Sequence, residues 1–451
     1  MIKKSSLNII IDLIKDQKLK KIASNYLIED SWKEDLKALT KESFINDLNE
    51  MDQIISYCFQ IKKLSLLYRY RECYSIIQIV IPLLEKTSVK AVNKNLNAYA
   101  SHIIAISLAY MGKLKSDQFK KYYSTAYDFY EKSGLINDLN QLKIELLDIK
   151  NYYEDDYSKQ SILKEAYSLN NTIKSDYQKN EVSFRLGILN LFNYINNKSW
   201  DSLIKANESF EDYLKNIDRD NYKSYWAKCG ILITNFYQNK PIDDIFMDIS
   251  IPKGSYSKAK GFPLILFLIT RAHIISGKEN KVRKIFFNIE RRIENLLNEF
   301  PDNLDYQKII INRYGFLLEE WINYNFYDKN SSILEKSINI IHINELLVNR
   351  LLFKDHFTNS LSKEGLFEAE NKIQKFVNKK SGLIYFTIKL KNLNNNYVQR
   401  VIVINSIEKD GVKIIELKSD DLLKIKQDFT LTFFRESSLE EQNIVLDKYG
   451  S

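Results

Sequence analysis

A chain of 451 residues exceeds the ~250–300 residues that one hydrophobic core sustains, so it must divide into several cores or form a repeat array. With 45% apolar and 27% charged residues it is not a disordered chain. Its 66 basic and 58 acidic side chains, net +8, are a mild bias, and the scattered doublets Lys3-Lys4, Lys20-Lys21 and Arg291-Arg292 read as solvated helix faces rather than a phosphate-tracking stripe. Only 12 glycines and 5 prolines punctuate this length, which favours long helices over a sheet with many turns.

At the N-terminus Lys3-Lys4 precedes an apolar stretch that Asp12 and Lys15 interrupt. With no small-residue cleavage site after it, this reads as an amphipathic helix rather than a signal peptide. The most apolar run, Phe262 to Thr270, is far short of the ~20 residues that span a bilayer. Cys58, Cys73 and Cys229 form an odd set without metal spacing, the usage of a reducing cytosol, so a cytoplasmic location is expected. The richness in Lys, Asn, Ile and Tyr is associated with AT-rich bacterial genomes.

Breaks between apolar-periodic segments fall near Arg71, Gly112, Asp155, Asn197, Asn239, Gly277 and Lys329. Their successive spacings are 41, 43, 42, 42, 38 and 52 residues. Most carry turn chemistry, such as Met111-Gly112-Lys113, Asn239-Lys240-Pro241 and Ser276-Gly277-Lys278. Between them the pattern is helical. Ile188, Phe192 and Ile195 form one stripe, and Trp200, Leu203 and Ile204 resume it. Val282, Ile285, Phe286, Ile289, Ile293, Leu296, Leu297 and Phe300 form another, about five turns long.

Two helices of ~16–18 residues and two short turns fill a period near 42, and one such pair cannot bury both its faces. The pairs must therefore stack. This predicts a mainly α fold, a solenoid of helix pairs over residues 1–378, with helices pairing across Gly112, Asn197, Asn239 and Gly277. The alternation of small and aromatic residues in Ala105, Ala109, Tyr110 and Gly112, then Tyr123, Ala126 and Tyr127, resembles tetratricopeptide repeats in a long-helix form.

After Asn378 the texture changes. Leu383 to Leu390 alternates, Val398 to Ile404 is β-branched, and Val412 to Leu417 follows Lys409-Asp410-Gly411, a two-residue hairpin signal. Ser419-Asp420-Asp421 then caps a short helix through Phe429, and Leu431 to Phe434 reads as a last strand. Residues 379–451 are thus expected to be a small α/β appendage of order β-β-β-α-β, with at least one buried sheet face.

The candidate chemistry is sparse. The three cysteines lie among apolar neighbours in helices and read as core residues. His102, His273, His342 and His356 share no metal-ligand spacing. No G-x-x-x-x-G-K-[ST] or G-x-G-x-x-G phosphate cradle occurs, so no cofactor is expected. Glu416 and Lys418, two apart on a strand, share a face. This resembles the E-x-K of the PD-(D/E)xK nucleases, in which carboxylates hold Mg²⁺ and the lysine serves a water. The preceding strand ends in Asn405 rather than Asp, and Asp410 lies in the turn.

The run Gly382-Leu383-Ile384-Tyr385-Phe386, then Val401 to Ile404, Lys409 to Val412, Leu417, and Asp421-Leu422-Leu423 through Phe429 resembles the opening of a CHAT domain. These are caspase- and separase-like cysteine protease modules that often follow tetratricopeptide repeats. The family's catalytic His and Cys come later than Ser451, so no catalytic residue carries over. The resemblance implies an interaction scaffold, the sensor or docking half of a CHAT-type protease system, in bacterial defence or signalling. It would be an enzyme only as part of a longer chain supplying that His and Cys. The expected partner is a protein or peptide, with nucleic acid entering only through a larger complex and no membrane. A plain peptide-binding repeat adaptor is the simpler variant.

Overall fold

The structure is a computed structural model. It describes residues 6–25, 39, 42–67, 69–86, 93–153, 156–217, 222–242, 263–277, 279–300, 303–328, 331–348, 383–386, 390–391, 393–394, 396–404 and 411–418. The described chain is mainly helical with one small antiparallel sheet, as the scarcity of glycine and proline predicts.

The helices are α1 (Ser6–Leu13), α2 (Gln17–Asn25), α3 (Glu42–Asn46), α4 (Glu50–Leu66), α5 (Tyr70–Glu85), α6 (Lys94–Tyr110), α7 (Asp117–Ser133), α8 (Ile136–Tyr153), α9 (Asp156–Thr172), α10 (Asp176–Asn197), α11 (Trp200–Lys215), α12 (Tyr222–Tyr237), α13 (Pro263–Ile275), α14 (Glu279–Glu299), α15 (Leu304–Tyr327) and α16 (Ile333–Val348). Two compact units emerge. One holds residues up to Thr234 together with Glu294–Arg313, and the other holds Pro263–Ile293 and the chain from Tyr314. The expected boundary near residue 378 lies outside the described residues.

Local chemistry sets the helix ends. Asn49, Asn93, Ser116, Ser175 and Ser199 each accept a backbone N–H of the first turn of α4, α6, α7, α10 and α11, satisfying donors that would otherwise be orphaned. Gly134 ends α7 in the left-handed conformation, φ 63°, where a Cβ would be strained. Gly112, Asn239 and Gly277 also have positive φ and fall at expected breaks. Arg71 sits inside the first turn of α5, whose break begins at Leu67. Asp155 and Lys329 lie outside the described residues. The turns at Gly134-Leu135 and at Ile173 to Ser175 are the second turns of the expected periods, at positions the seven breaks do not mark.

In the first unit neighbouring helices pack in sequence: α4 on α5, α6 on α7, α8 on α9, and α10 on α11. The leading helices of these pairs also touch in series, α4 with α6, α6 with α8, and α8 with α10. Helix α6 is covered on almost every side, with Ala105 and Ala109 fully buried, which lets its neighbours approach closely. The closest approach is at α11. Phe210 lies between Gly187 of α10 and Gly230 of α12, and a Cβ built on either glycine would fall 2.7 Å or 2.5 Å from the ring.

One expected stripe needs correction. On α11 Leu203 is buried, but Trp200 is 53% and Ile204 41% exposed. The buried stripe of this helix is Leu203, Ala206, Phe210 and Tyr213, a run at helical spacing that leaves the Trp200–Ile204 edge outside. The long α14 stripe is buried from Val282 through Leu297. In the second unit α13 is buried from Pro263 to Ile274, including Arg271, whose guanidinium pairs with the Glu320 carboxylate of α15. No described helix is long and apolar enough to cross a membrane.

The sheet comprises β1 (Leu383–Phe386), β2 (Leu390–Lys391), β3 (Tyr397–Ile404) and β4 (Val412–Lys418). Among the described residues no strand precedes Leu383. Strand β3 is central: β1 and β2 pair with successive parts of one edge and β4 with the other, all antiparallel. Ile404 pairs with Val412, so residues 405–411 form the connection. A tight Asp410-Gly411 turn would instead have paired residue 409 with 412, and the two-residue hairpin reading is thereby corrected. Both faces of β3 are buried: Val398, Ile402 and Ile404 on one, Val401 and Val403 on the other. Helix α16 packs on β4. The helix expected from Ser419 to Phe429 and the strand from Leu431 lie outside the described residues.

Candidate functional site

Glu416 and Lys418 do lie two apart on β4, and their register partners on β3 are Arg400 and Val398. Cross-strand partners share a sheet face, so the residue facing Glu416 is a cation. The Arg400 guanidinium stands 3.3 Å from the Glu416 carboxylate and stacks at 4.1 Å over the Phe326 ring. It also donates to the Asn323 amide oxygen at 3.2 Å, while the same Asn323 amide donates to the Lys391 carbonyl at 2.9 Å. Asn323, Phe326 and Tyr327 lie on α15, so this cluster fastens β3 to that helix.

Arg400 is 1% exposed, whereas Glu416 keeps a quarter of its side chain in solvent. Burial pulls the Arg400 pKa down, and the Glu416 and Tyr327 groups beside it oppose that shift. Burial and the Glu416 charge push Tyr327 up. A carboxylate paired with a buried guanidinium meets the anchoring requirement of the sheet, because an uncompensated Arg400 would be costly there. A catalytic Mg²⁺ site of the E-x-K type needs further carboxylates beside Glu416. Among the described residues no group of three His, Cys, Asp or Glu side chains is placed to hold a metal ion, and Asn405 and Asp410 lie outside them. Arg400 was the residue that sequence reading passed over. Its signal was a lone charge within a β-branched strand, in phase with Val398, Ile402 and Ile404.

The first unit carries a second set of polar groups, a row of charge that runs across four helices. His102 of α6 meets Glu145 of α8 at 3.1 Å and the Tyr130 hydroxyl at 3.4 Å. Arg185 of α10 grips Asp148 of α8 with two donors, at 2.9 and 2.7 Å, and Glu181 on its own helix at 3.1 Å. Lys223 of α12 closes the row on Glu181 at 2.9 Å. Beside it Gln178 donates to the Asn137 carbonyl at 2.7 Å.

Burial would raise Glu145, but the His102 bond and charge, Lys62 and Gln141 outweigh it and bring the carboxyl down to about 2. Glu181 is likewise lowered, burial being outweighed by Arg185 and Lys223. Arg185 is held protonated, because Asp148 and Glu181 outweigh its own desolvation. Each carboxylate of the row therefore has an arginine, lysine or imidazole partner, and the Arg185 and Lys223 bonds join charged groups largely shielded from bulk water. Further along, Arg313 donates to the Tyr70 hydroxyl at 2.9 Å and to the Tyr110 carbonyl at 3.3 Å, tying the first half of α15 to α5 and α6.

The cysteines behave as core. All three are buried, and burial pushes Cys58 and Cys73 up to about 12 and Cys229 up as well. A thiol so raised is not a thiolate nucleophile at neutral pH. His273 is buried in α13, the side chain of His342 on α16 is outside the described residues, and so is His356. No protein-family model, no curated protein and no solved structure matches the chain.

Proposed function

We propose that this chain is a protein-binding scaffold built as a solenoid of stacked helix pairs similar to tetratricopeptide repeats. The charged row is the observation that carries this reading. His102 and Glu145 are 43 residues apart, Lys223 and Glu181 42, Gln178 and Asn137 41, and Arg185 and Asp148 37. Each bond thus joins leading helices of successive pairs at close to the 42-residue period of the turns. Stacking one pair on the next buries the face that a single pair would leave open. Such a stack would offer an extended surface on helical elements, which suits recognition of a protein or peptide.

The reading extends, through the CHAT resemblance of residues 382–429, to the docking half of a caspase-like protease system. The strands at Leu383–Phe386, Tyr397–Ile404 and Val412–Lys418 are those the sequence pattern predicts, and the CHAT likeness rests on the residues quoted for it. Two experiments test the two parts. Native-state hydrogen exchange should show terminal helix pairs opening separately from central ones; exchange of all helices in one concerted step would overturn the repeat reading. Mixing the purified chain with a CHAT-type protease polypeptide encoded beside it should give a complex by size-exclusion chromatography. Separate elution at micromolar concentrations would remove the protease part and leave the scaffold.

A further inference from the structure

We draw no further inference here: the strongest candidate, the exposed apolar pair Trp200 and Ile204 one turn apart on α11, is an unpartnered helix face and nothing in the structure shows what covers it.

Discussion

Replacing Gly187 with alanine should destabilise this protein, although alanine is the better helix former. On an open helix surface the exchange would gain about 1 kcal/mol. Here the new methyl would fall 2.7 Å from Cδ1 and Cε1 of Phe210 and 2.9 Å from Cζ, against ~3.5–4.0 Å for an ordinary carbon contact. The ring must retreat by about 1 Å to restore such a contact, and it has nowhere to go. Its opposite edge faces Gly230, where a Cβ would lie 2.5 Å from Cε2, and the Phe184 ring stands 5.8 Å away. Overpacking of this kind costs about 1–3 kcal/mol, and blockage on both edges points to the upper half of that range. The net loss is then about 1–2 kcal/mol, the clash outweighing the propensity gain.

The decisive form of the test is a double-mutant cycle. Phe210→Ala alone should cost about 3–5 kcal/mol. In that background Gly187→Ala meets no ring and should become neutral or stabilising by up to about 1 kcal/mol. Urea denaturation followed by far-UV circular dichroism reads both signs as shifts of the midpoint. A chain of two units need not unfold in one step, so the comparison belongs to the transition that carries α10. If Gly187→Ala raised that midpoint with Phe210 present, or if the two changes were additive, the wedge reasoning would fail.

Arg185→Met should destabilise that transition by about 2–4 kcal/mol and lower its midpoint, because Asp148 and Glu181 would face each other without their shared cation; an unchanged midpoint would contradict the row of charge. Glu145 gives a pH dependence of definite sign. Its carboxyl is lowered from 4.5 to about 2 in the fold, so its contribution is complete above the unfolded value and lost as pH falls from about 4.5 towards 2. That loss is about 3 kcal/mol, and Glu145→Gln should flatten this acid limb of a stability–pH curve. Glu416→Ala should weaken the sheet by about 1–3 kcal/mol by leaving Arg400 without its carboxylate. The nuclease alternative requires instead that the same change abolish Mg²⁺-dependent cleavage of DNA or RNA while leaving the unfolding midpoint in place.

The legible parts of this protein were those fixed by neighbours in sequence. The α14 stripe from Val282 to Leu297 follows from the helical period, the turns at Gly112, Asn239 and Gly277 from backbone freedom and turn residues, and β3 from its β-branched run. Gly134 and Ser175 carried the same kind of signal, a left-handed cap and an N-cap, at the turns left unread. The rest depended on residues distant in sequence. Gly187 and Gly230 look like weak points in helices until the Phe210 ring is placed between them. Trp200 and Ile204 fit a helical stripe, yet which edge of α11 is covered depends on the helices around it. The turn after Ile404 looked like a two-residue hairpin, but the pairing of β3 with β4 across seven intervening residues won. Arg400 and Glu416, like His102 and Glu145, acquire meaning only from each other. A charge states its need for a partner in the sequence, but tertiary packing alone decides which partner arrives and how little water remains between them.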